Sequence, residues 1–169
     1  MTRDIASSFN HQFGETFVVP EAQINEQLMT IPGTDGQKMS KSYGNTLDIF
    51  LPEKQLKKQV MSIITDSTPL EEPKNPDTCN VFKLYELMAT PSETEVMRGN
   101  YTGGNYGYGH AKKALLELLI DRFKEERKKF EFLTSNPEEI ETELRKGEQK
   151  AKEIALSKLE ELRNKLGYH

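Results

Sequence analysis

The chain has 169 residues, 30% of them charged and 35% apolar, enough for one domain, or one and a small second piece, around a real core, and too apolar for a disordered chain. Its 23 basic residues against 27 acidic ones give a formal charge of −4, which argues against broad, salt-driven nucleic-acid binding. No apolar run approaches the ~20 residues of a membrane span, and Cys79, the sole cysteine, excludes an intrachain disulfide or a cysteine-based zinc site.

Taken in order, Thr2 to Phe13 reads as an amphipathic helix with Ile5, Ala6, Phe9 and Phe13 on one face and Gly14 as its stop. Thr16-Phe17-Val18-Val19-Pro20 is a short strand-like run, Ala22 to Leu28 is polar and ambiguous, and Met29-Thr30-Ile31 is a brief extended piece. These pieces are too few and too short to pair with one another, so they are expected to extend a sheet that lies elsewhere. Two lysines three apart follow in Lys38-Met39-Ser40-Lys41-Ser42, with Gly33 and Gly36 before and Gly44 after. Glycine on both sides points to a mobile loop. Two ammonium groups and two hydroxyls suit the grasp of a polyphosphate; a solvated surface loop with ordinary lysines is the alternative.

Pro52 is suited to the first position of a helix carrying Leu56, Val60, Ile63 and Ile64, with Lys54, Lys57 and Lys58 on its wet side. Thr65 to Asp77 is a loop punctuated by three prolines, and Cys79 to Met88 is a helix burying Val81, Leu84, Leu87 and Met88. Ser92 and Glu95 read as a capping box for a short helix that includes Val96 and Met97. The glycines and tyrosines of Tyr101 to His110 suit a tight interhelical turn, with a phosphate-binding loop as the other reading. A long helix is predicted over Ala111 to Phe132, with Ala114, Leu115, Leu118, Leu119 and Phe123 inward. Asn136 and Pro137 open a final helix that Gly147 interrupts and Gly167 ends. From Pro52 onward the design is a helical bundle with short connections.

The string Lys38-Met39-Ser40-Lys41-Ser42 resembles the second signature of class I aminoacyl-tRNA synthetases. The flanking Tyr43-Gly44-Asn45, together with Thr2 to Ala6, Phe9-Asn10, Pro20-Glu21, Thr65-Asp66-Ser67, Gly107-Tyr108-Gly109 and Leu144 to Gly147 followed by Ala151, is similar to the bacterial tryptophanyl branch, with tyrosyl as its near relative. The family's first signature, a His-x-Gly-His type motif, is absent: the histidines are His11, His110 and His169. The resemblance therefore implies the C-terminal half of such an enzyme. Residues 1–51 would be the remnant of a Rossmann-type catalytic domain with few short strands. Residues 52–135 would form a mainly α, helical-bundle anticodon-binding domain, and 136–169 a helix packing back towards the catalytic domain.

Function follows from the same resemblance. The family activates tryptophan with ATP, Mg²⁺ accompanying the nucleotide without a protein metal site, and transfers it to tRNA(Trp). Lys41 would lie closest to the transferring phosphates and Lys38 would support it. Ser40 and Ser42 would be hydroxyl donors that set the loop, and Met39 would anchor it by apolar packing. The full-length enzyme is expected to be a cytoplasmic homodimer, and this chain alone is expected to be inactive. A non-catalytic RNA-binding helical module is the competing reading. The basic cluster Arg122, Lys124, Arg127, Lys128 and Lys129 is read mainly as a solvated face, because Glu125, Glu126 and Glu131 interleave with it.

Overall fold

The computed structural model describes residues 1–24 and 30–168. Seven α-helices and one 3₁₀ turn make up its regular structure: α1 Thr2–Phe13, the turn Lys41–Tyr43, α2 Glu53–Met61, α3 Asn80–Glu86, α4 Pro91–Gly103, α5 Tyr108–Arg122, α6 Lys124–Ser135 and α7 Pro137–Leu166. The mainly α class read from the sequence is the class observed. Among the described residues, β pairing amounts to one isolated antiparallel bridge, Pro32 to Lys38. The expected strand at Thr16–Pro20 does not form. Its backbone is claimed instead by a side chain: Asn10 Oδ1 accepts from the amides of Thr16 (3.0 Å) and Phe17 (2.9 Å), and Asn10 Nδ2 donates to the Phe17 carbonyl at 2.7 Å. Of the extended piece expected over Met29-Thr30-Ile31, Met29 lies outside the described residues, as do Asn25 to Leu28 of the ambiguous stretch; Thr30 and Ile31 belong to no strand, though the Ile31 carbonyl accepts from the Met39 amide.

The chain divides into two units, 1–24 with 132–169, and 25–131, the boundary falling within α6. In the first unit, Ala6 is the one buried hydrophobic residue among those described. Ile5, Leu144 and Ile154 stay exposed, and an open apolar hollow of about 490 Å³ is lined by Ile5, Phe9, Phe17, Leu159, Leu162 and Leu166 among others. Polar contacts fasten α7 to the segment after α1: Lys158 Nζ donates to the Thr16 carbonyl (2.9 Å) and Lys165 Nζ to the Thr16 hydroxyl (2.6 Å). The interruption expected at Gly147 does not occur, and α7 runs through it for 30 residues. One glycine costs only about 1 kcal/mol in a helix interior, too little to break so long an element. Its end matches expectation: Gly167 is left-handed, and Gly167 and Tyr168 donate to Asn164 and Arg163.

The second unit holds the core. Leu56, Val60, Ile63, Val81, Phe82, Leu84, Met97, Tyr101, Ala111, Leu115 and Leu119 form one buried cluster. The helix bearing Leu56 stops at Met61, so Ile63 is buried from the following turn while Ile64 is exposed, contrary to the helical spacing. Pro52 is the residue before that helix rather than its first. The expected helix Cys79 to Met88 is shorter at both ends; Phe82 joins its buried set, and Leu87 and Met88 are only partly covered. The capping box is Thr90 with Glu93, not Ser92 with Glu95. The Thr90 hydroxyl accepts from the Glu93 amide while Glu93 accepts from the Thr90 amide, and Pro91 occupies the first helical position. That helix extends to Gly103, so the turn expected over Tyr101 to His110 is confined to the few residues before Tyr108. Gly104 is indispensable there: with φ +74°, an added Cβ would lie 2.6 Å from the Glu71 carbonyl oxygen.

The predicted helix Ala111 to Phe132 is two helices, α5 and α6, parted at Phe123. The break accompanies new partners beyond it. Arg127 donates to the carbonyls of Ile49 and Leu51, the latter at 2.9 Å, and Phe130 stacks on Phe50 with ring centroids 4.6 Å apart. The segment leading into α2 is thereby clamped to α6.

Candidate functional site

The lysine loop belongs to the second unit and is built on a tight backbone frame. Met39 N–H donates to the Ile31 carbonyl (2.8 Å) and Gly33 N–H to the Gln37 carbonyl (2.7 Å), folding residues 31–39 into a narrow turn. Ser40 is extended, and its hydroxyl accepts from the Ser42 amide at 3.3 Å, capping the 3₁₀ turn Lys41–Tyr43. Gly44, left-handed at φ 65°, closes that turn by donating to the Lys41 carbonyl. The Met39 side chain is half-buried and packs on the core cluster, whereas Lys38, Lys41 and Ser42 are exposed. Neither lysine has an ion-pair partner among the described residues. Two ammonium groups are thus held on a defined backbone, free to meet an anion.

Sequence reasoning missed the loop's fastener. Asn45 is only 3% exposed. Its Oδ1 accepts from the Ser40 amide (2.8 Å), its Nδ2 donates to Asp35 Oδ1 (2.8 Å) and the Lys38 carbonyl (3.2 Å), and its own carbonyl accepts from the Thr34 amide (2.9 Å). Asp35 accepts also from the Gln37 amide, and these bonds, Asn45's first, hold its carboxyl below the usual carboxylate range. An asparagine in a Gly-rich stretch was the available signal, but its burial and its partners are set by the turn and cannot be read from spacing. The loop is also moored to the bundle: Ile64 N–H donates to the Thr34 carbonyl (2.8 Å), and an added Cβ at Gly36 would lie 2.5 Å from Asn80 Nδ2.

The Thr65–Asp77 loop is likewise organised from within. Lys74, 4% exposed, donates through Nζ to the carbonyls of Pro69 (2.7 Å), Glu72 (3.1 Å) and Leu70 (3.3 Å). Asp66 accepts from the Thr68 amide (2.9 Å) and the Tyr108 hydroxyl (2.7 Å). The Tyr108 hydroxyl is pushed up to about 12, chiefly by burial, and hydrogen bonds from Thr68 first and Tyr108 next hold the Asp66 carboxyl below its ordinary 3.8. A depressed carboxylate pKa adds stability that is complete above the unfolded value and is lost as pH falls through the folded one. The urea midpoint of the native chain is therefore expected to drop as pH falls from about 5 through the carboxylate range, and to drop less in Asp66→Asn, as followed by far-UV circular dichroism.

Of the basic cluster on α5 and α6, Arg122 pairs with Glu93 (2.7 Å), Lys128 with Glu125 (2.9 Å), and Arg127 is spent on backbone carbonyls. Three of the five basic groups thus serve the fold.

The structure thus presents an exposed lysine pair on a fastened loop that leads into an all-helical bundle. The family model described as tRNA synthetases class I (W and Y) matches residues 1–124, and the chain belongs to that family. Among relatives, the tryptophan–tRNA ligase of Fusobacterium nucleatum is 47% identical over 168 residues, 99% of this chain and 51% of that protein. That of Campylobacter jejuni is 46% identical, with 99% and 52% covered. A crystal structure of the Campylobacter jejuni tryptophanyl-tRNA synthetase, complexed with ADP and tryptophan, superimposes with a TM-score of 0.84 at 46% identity, covering 98% of this chain and 52% of that one. The chain spans about half the length of the relatives it matches.

Proposed function

We propose that this chain is the C-terminal part of a tryptophan–tRNA ligase, which joins tryptophan to ATP as an adenylate and passes the aminoacyl group to tRNA(Trp). The observation that carries the reading is the exposed Lys38 and Lys41, with no ion-pair partner among the described residues, on a hydrogen-bonded loop in a chain 46–47% identical to tryptophan–tRNA ligases. In the adenylation step, tryptophan's carboxylate attacks the α-phosphorus of ATP and pyrophosphate leaves. Negative charge grows on the departing β- and γ-phosphates, and preset cations there stabilise the transition state. Lys41 makes the nearer contact and Lys38 the supporting one. Ser40 and Ser42 donate hydroxyls and set the turn, and Met39 anchors the loop on the core. Mg²⁺ enters with ATP as part of the substrate.

On this reading residues 1–51 complete the catalytic domain, 52–135 bind the anticodon region of tRNA(Trp), and 136–169 pack back towards the catalytic domain, the whole enzyme acting as a cytoplasmic homodimer. The nearly coreless first unit, with its apolar hollow, supports a larger fold around residues 1–24. The test is complementation. This chain alone is expected to give no ATP–pyrophosphate exchange, and mixing it with the upstream half of the Campylobacter jejuni relative is expected to produce tryptophan-dependent exchange. Persistent silence from a stable, stoichiometric complex of the two halves would refute the proposal.

A further inference from the structure

We infer that Asn45 is a positioning residue for the lysine pair, aligning Lys38 and Lys41 on the departing diphosphate without touching it. The inference rests on the role proposed above for those lysines. Asn45 spends its whole side chain on the loop. It grips the Lys38 carbonyl and the Ser40 amide, and so fixes the two peptide planes that flank Met39, the first of them Lys38's own and the second leading through Ser40 to Lys41. Ser40 in turn caps the turn that begins at Lys41, so one amide sets the root of both cations.

The orientation of that amide is chemically enforced. Asp35 Oδ1 is an acceptor, so only Nδ2 of Asn45 can face it, which leaves Oδ1 to face the Ser40 amide. The neighbouring backbone is shaped to admit the side chain: an added Cβ at Gly33 would lie 2.4 Å from Asn45 Nδ2 and 2.5 Å from its Cγ. A residue serving only packing would need no outward carboxylate to orient it.

In the full-length synthetase, Asn45→Ala is expected to slow single-turnover adenylate formation about 10- to 100-fold while ATP affinity stays within about twofold, because misplaced cations fail chiefly in the transition state. The Asn45→Ala, Lys41→Ala double variant is expected to be slower than Lys41→Ala by much less than Asn45→Ala slows the native enzyme, since only the part of the effect that runs through Lys38 is left to lose. Exposed Asp35 supplies a pair of variants that leave the core intact: Asp35→Ala slows the step, and Asp35→Asn, which keeps the acceptor, runs at the native rate. In the isolated chain, hydrogen exchange at the Ser40 amide accelerates in Asn45→Ala. Native rates in both Asn45→Ala and Asp35→Ala, or fully multiplicative losses in the double variant, would overturn the inference, provided Lys41→Ala alone is slow. A native rate in Lys41→Ala would instead overturn the proposed role of the lysines. Should Asn45→Ala fail to fold, the two Asp35 variants decide alone.

Discussion

Lys41→Ala in the full-length synthetase is expected to lower the rate of tryptophanyl-adenylate formation by about 10²–10³-fold, the usual loss when one preset donor to a developing charge is removed. ATP affinity is expected to change little. The ammonium is exposed and has no ion-pair partner among the described residues, so in the ground state it meets only solvent and a flexible polyphosphate. The benefit appears when negative charge gathers on the leaving pyrophosphate, and interactions made only then act on the rate. Lys41→Arg keeps the charge but replaces a compact ammonium with a planar fork, and should recover part of the rate. Stopped-flow measurement of the single-turnover rate against ATP concentration separates the two quantities. An equal fall in affinity with an unchanged limiting rate would assign Lys41 to substrate binding.

Phe82→Ala is expected to cost the bundle about 3–5 kcal/mol, the top of the range for single core truncations. Phe82 is 1% exposed, meets Tyr101 edge-on with centroids 5.4 Å apart, and carries the Arg98 guanidinium over its ring, 4.8 Å from the centroid. Removing the ring leaves a cavity between helices, and strips Arg98 of an aromatic partner while its ion pair with Asp77 (2.8 Å) remains. Urea denaturation should show a lower midpoint with an unchanged slope. Ile154→Ala, at a residue 75% exposed on α7, is the control and should stay within about 0.5 kcal/mol.

The sequence was most legible where a single periodicity was at work. The bounds of α1, the start of α7 at Pro137 and the buried Leu56 and Val60 all follow from apolar spacing and terminal residues. It was least legible where two local readings competed or where a contact was distant. Thr90 and Ser92 each precede a glutamate by three residues, and Pro91 was the discriminating clue, since it suits the first position of a helix capped by Thr90. Nothing local signals the break at Phe123, because what lies beyond it answers to Ile49, Phe50 and Leu51 some eighty positions earlier. The lysines themselves were visible in the string, but the residues that hold them, Asn45 above all, were not. A fastener is defined by its partners, and these converge only after the turn has formed.

The bond from Ile64 to Thr34, and the press of Gly36 against Asn80, tie the signature strip to the ends of two bundle helices. The five letters are therefore not a transplantable part. Copied into a foreign scaffold they would carry their charge without their aim, because the turn that presents it leans on Ile64 and Asn80, well beyond it along the chain.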